Sequence, residues 1–81
     1  MEAPALFSTF VMGLASATLI ELGLVEDPIT KKKRVQKDVA KQHIALLEML
    51  REKTRGNLSA EEQTLLDRAV TDLKLQFART A

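Results

Sequence analysis

Residues 4–22 form the first long stretch of the chain, with no charged residue between Ala3 and Ile20. Wound at 3.6 residues per turn, Phe7, Phe10, Val11, Leu14 and Thr18 make a bulky face. Thr9, Gly13, Ser16 and Ile20 make a slimmer face opposite, and Met12 and Leu19 fill a third sector. A helix that is apolar or small all round is buried on most sides or lies in lipid. Pro4 suits its first turn, where a missing N–H costs nothing. Gly23 followed by Leu24 predicts a left-handed glycine stop. Residues 37–55 are patterned differently. Ala40, His43, Ile44, Leu47, Leu50 and Thr54 fall on one stripe with Leu46 at its edge, which is the spacing of an amphipathic helix. Gly56 supplies its stop. Residues 59–78 open on Ser59-Ala60-Glu61-Glu62, a capping-box signature, and continue as a narrow stripe of Leu66, Ala69, Val70, Leu73 and Phe77. Loss of the Ser59 cap is expected to cost about 1 kcal/mol.

Only about three residues separate the second and third predicted helices, and a link that short makes them an antiparallel αα-hairpin. Residues 24–36 read as a connector. Glu26-Asp27-Pro28 signals a turn, and the Lys/Arg run after it is expected to repel itself and stay solvated. No strand, internal repeat or glycine-rich phosphate loop is predicted. The fold class is therefore all-α: one domain over residues 1–81, its apolar N-terminal helix packed with an antiparallel αα-hairpin.

Length and composition add a constraint. A chain of 81 residues buries only roughly 60% of the surface its unfolded form exposes, so its own core is marginal. There is no Cys, which excludes disulfides, thiolate catalysis and zinc–thiolate sites and fits a reducing cytoplasm. Good helix packing or oligomerisation remains. The net charge of +1 implies no nucleic-acid partner by itself, but six of the twelve Lys and Arg residues lie between Lys31 and Lys41.

Several stretches together resemble a known family. They are Phe7-Ser8-Thr9-Phe10 and Leu14-Ala15-Ser16 in an apolar first helix, a Leu22-Gly23 stop, and an acidic-Pro turn. Ala40-Lys41-Gln42 with Ile44, Leu47-Glu48-Met49-Leu50, and above all Glu52-Lys53-Thr54-Arg55-Gly56-Asn57-Leu58 follow, before an acidic cap and a Leu-rich helix. Over nearly its whole length the chain resembles the short bacterial proteins of the domain of unknown function 1844 family. The resemblance implies a bacterial source and a small helical protein, and supplies no activity or catalytic residue. Two departures stand out. Family members usually have a Pro-Glu-Thr-Gly turn where this chain has Pro28-Ile29-Thr30 and the basic run, which makes the cationic loop a feature of this chain. They also place an Asp-like cap where Gln36 stands, leaving Asp38 as the acid near the second helix's N-terminal dipole.

Each candidate functional feature has a plainer counterpart. The first helix could span a bilayer with Lys31 to Arg34 as its anchor, but Ser8, Thr9, Ser16 and Thr18 dilute it and Glu21 sits in its last turn. No basic residue precedes it, as a signal peptide would require. Burial in the chain's own fold or against a second copy explains the same pattern. Lys31, Lys32, Lys33, Arg34 and Lys37 are the candidate anion-binding residues; with no interleaved aromatic, the plainer reading is a solvated loop. His43, the one histidine, could be a base or a metal ligand, but no partner group stands near it in sequence. A structural or interfacial role needs none. Glu61-Glu62 follows the Ser59 cap and is explained by the helix dipole rather than by acid/base chemistry.

The sequence therefore predicts no enzyme and no catalytic, cofactor-binding or metal-binding set. It predicts a cytoplasmic, non-catalytic, homo-oligomeric interaction module, with Phe7, Phe10, Gly13, Leu14, Ala17 and Leu75 as candidate subunit contacts. An unidentified protein partner is compatible with the same surface. The alternatives are an anion- or nucleic-acid-binding accessory protein using the Lys31–Lys37 loop, and a membrane-associated protein using residues 4–22.

Overall fold

The computed structural model describes residues 3–80 and folds them into three helices, α1 (Ala3–Glu21), α2 (Lys37–Lys53) and α3 (Ala60–Arg79), each packed against the other two. Local sequence sets most of the boundaries. α1 ends where Gly23, at φ +75°, takes the left-handed conformation. There Leu24 N–H donates to Leu19 O (3.1 Å) and Gly23 N–H to Ile20 O (3.0 Å), the paired bonds of a Schellman stop. α3 begins with the expected capping box. Ser59 Oγ accepts from Glu62 N–H (3.1 Å), and Glu62 Oε1 accepts from Ser59 N–H (2.8 Å).

α2 stops two residues earlier than its stripe suggests. The backbone of Thr54 relaxes to φ −98°, ψ 3°, and a turn leads to Gly56 at φ +85°. At its other end Gln36 stands at the cap with no side-chain bond. The start of α2 is instead held by the chain behind it, since Gln36 N–H donates to Glu21 O at 2.6 Å. Asp38 adds an acid to the first turn, where the helix dipole favours one.

Val11 of α1, Ile44 and Leu47 of α2 and Leu66, Val70 and Leu73 of α3 form the buried core, with Phe7, Leu14, Ala15, Leu19, Leu50 and Phe77 packed around it. Thr18 is also fully buried, and its hydroxyl is satisfied by donating to Leu14 O at 2.8 Å. Side-chain pairs establish the antiparallel hairpin of α2 and α3. Lys37 meets Thr80, Glu48 meets Lys74 and Arg51 meets Asp67, so partner numbers fall as α2 numbers rise. The last turn of α1 lies beside the second turn of α2.

The first helix is covered on one side only. Phe10, expected on the bulky face with Phe7, is 54% exposed, and Leu6 and Met12 are equally open. The radius of gyration is 13.1 Å, against about 12 Å for a compact chain of this length. The accessible surface is 5672 Å², roughly 800 Å² above the scaling for a folded monomer of this mass. Among the described residues no helix is long and apolar enough to cross a membrane.

Candidate functional site

Two surfaces concentrate the exposed chemistry of the molecule: the margin where α1 meets α2, and the loop that joins them. Glu21 and His43 mark the margin. Stepping back from Glu21 by four, seven and eleven residues reaches Ala17, Leu14 and Phe10, all on the side of α1 turned toward α2. Stepping from His43 by minus four, three and seven reaches Val39, Leu46 and Leu50 on the matching side of α2. Leu14 and Leu50 turn inward against the core, whereas Phe10, Val39 and Leu46 remain on the outside. Gly13 and Met49 lie further out on the same flank and are also exposed. A Cβ added at Gly13 would have nothing within 4 Å, so this position is an open notch in the surface rather than a close contact within the chain.

Of the candidate subunit contacts, Phe7 and Leu14 are therefore used inside the chain, because they flank Val11 on the covered side of α1. Phe10, Gly13 and Ala17 line the α1–α2 margin. Leu75 is exposed on α3, two residues from the buried Leu73 and so on the face turned away from the core. It does not join the margin.

Glu21 and His43 close the inner edge of this surface. His43 Nδ1 lies 2.7 Å from Glu21 Oε1, and the Glu21 side chain is only 12% exposed. A carboxylate that orients an imidazole is an arrangement a general base can use. Here both groups sit on packed helices, and the pair ties the end of α1 to α2. Sequence reasoning missed it because the two residues are 22 positions apart. The available signals were a lone acid closing an otherwise uncharged helix and a lone histidine on an apolar stripe.

The basic loop is exposed but not an unstructured coil. Asp27 organises it. Its Oδ1 accepts the N–H groups of Ile29 (2.7 Å) and Thr30 (3.3 Å), its carbonyl accepts Lys31 N–H (2.8 Å), and its own N–H donates to Lys32 O (2.9 Å). An antiparallel bridge between Leu22 and Val35 closes the base. The loop rims a concavity of about 540 Å³ lined in part by Thr30, Lys32, Lys33, Arg34 and Gln36. Lys31, Lys32, Lys33 and Arg34 all face solvent. Lys37 does not join them. Its ammonium lies 4.6 Å from the centre of the Phe77 ring and donates to Thr80 O, fastening the end of α3 to the start of α2. Among the described residues no three His, Asp or Glu side chains are grouped so as to hold a metal ion.

The family model described as "Domain of unknown function (DUF1844)" matches residues 4–79. The chain belongs to this family. The DUF1844 match takes in all three helices, the α1–α2 margin and the basic loop, and the family description names no activity. No curated protein and no solved structure matches the chain.

Proposed function

We propose that this DUF1844 protein is a non-catalytic interaction module of the bacterial cytoplasm that self-associates through its α1–α2 margin. The observation that carries the reading is the apolar surface formed by Phe10, Gly13, Ala17, Leu46 and Met49. A core this small also gains from a second copy, since the chain has no disulfide to hold it. The margin suits a two-fold contact. Its bulky members, Phe10, Leu46 and Met49, can enter the notch at Gly13 and Ala17 of the other copy, as a self-complementary interface requires. The Glu21–His43 contact fits this reading as a structural tie, since it joins the last turn of α1 to α2.

The deciding experiment is the absolute mass of the detergent-free protein by light scattering after size exclusion. The mass of two or more chains supports the proposal. The mass of one chain at high micromolar concentration overturns it and leaves the margin to a different protein.

A further inference from the structure

Ile29 is the most exposed large apolar side chain among the described residues, at 89%. The fold holds it in that position. Asp27 clamps the N–H groups on either side of the tip, Pro28 stiffens the step between Asp27 and Ile29, and Lys31 takes a left-handed conformation at φ 61°. For a non-glycine residue that conformation is unfavourable, and such strain clusters at sites with a task. Four consecutive cations follow the tip: Lys31, Lys32, Lys33 and Arg34. Among the described residues none of the four is ion-paired with a carboxylate, and the Asp27 side chain is occupied by backbone N–H groups. Glu26 is the only other acid in the loop.

We propose that this loop docks the protein on an anionic bilayer surface, with Ile29 entering the headgroup–acyl boundary and Lys31, Lys32, Lys33 and Arg34 engaging lipid phosphates and carboxylates. Neither half suffices alone. One short apolar anchor is a marginal attachment, and a basic cluster loses hold as salt rises, whereas the two together give stable, reversible binding. A nucleic acid would engage the same cations, but it would leave Ile29 without a partner, and the loop has no aromatic ring on which a base could stack. This attachment is independent of self-association, because the loop lies outside the α1–α2 margin.

The test is co-sedimentation of the full chain with vesicles of phosphatidylcholine, with and without phosphatidylserine. Binding is expected only to the mixed vesicles and is expected to weaken as salt is raised. Ile29→Ser should lower the partition coefficient about ten-fold. Replacing Lys31, Lys32, Lys33 and Arg34 with Gln should lower it roughly a hundred-fold or more. Both changes are on the surface, so helical circular dichroism should not alter. The chain has no Trp, which makes Ile29→Trp a unique reporter; its emission should shift to the blue on mixed vesicles. Absence of binding to mixed vesicles, equal binding to both kinds, or a Trp that keeps its aqueous emission each overturns the proposal. So does tight binding of a duplex oligonucleotide that Ile29→Ser leaves unchanged, an outcome that would reassign the four cations to nucleic acid.

Discussion

Glu21 Oε1 and His43 Nδ1 lie 2.7 Å apart and join the last turn of α1 to the second turn of α2. The backbone of the same glutamate accepts Gln36 N–H at 2.6 Å, so both ends of the connecting loop are pinned at one residue. An acid at a helix C-terminus opposes the dipole, and α1 has no basic residue in its last turn to offset it. The imidazole of α2 supplies the compensation. His43→Ala leaves a largely buried carboxylate without its partner and is expected to cost about 1–2 kcal/mol. Thermal unfolding should report this as a drop of roughly 4–8 °C per kcal/mol. Glu21→Gln keeps a hydrogen bond and should cost less. A double-mutant cycle with purely additive losses would show that the contact contributes nothing.

Gly23 and Gly56 both end helices in the left-handed conformation, yet they should tolerate substitution differently. At Gly56 an added Cβ meets nothing within 4 Å, so Gly56→Ala carries only the backbone penalty of about 1–2 kcal/mol. At Gly23 the added Cβ would lie 2.8 Å from Val35 Cγ2. Val35 is β-branched, with a restricted χ1, and its backbone is bridged to Leu22, so relieving the contact takes a rotamer change or a shift of the loop. Gly23→Ala should therefore cost about 1 kcal/mol more than Gly56→Ala in chemical denaturation. Equal losses would mean that the loop shifts freely.

Gly13 separates assembly from folding. Nothing in the chain lies within 4 Å of the position a Cβ would take, and leucine is a better helix former than glycine by nearly 1 kcal/mol. Gly13→Leu should thus keep or raise the thermal stability of the single chain while filling the notch that the proposed partner enters. The expected result is a lower mass by light scattering with undiminished helicity. An unchanged mass would move the interface away from the α1–α2 margin.

Much of this protein follows from short-range pattern. The Ser59–Glu62 box, the Gly23 stop and the stripes of α2 and α3 each depend on residues within a turn or two of one another, so a reader of the sequence alone places them to within two residues. The orientation of α1 was not available in this way. A helix without a polar face gives no indication of which side turns inward. Only packing against α2 and α3 sends Phe7 and Leu14 to the core and leaves Phe10 outside. The loop followed the same rule. Its charges were plain, but the removal of Lys37 from the basic run depends on Phe77 and Thr80, some forty residues away. The contact between Glu21 and His43 likewise exists only once α1 and α2 lie side by side. Local hydrogen bonding and periodicity decided the elements, and long-range packing decided which of their faces remain for a partner.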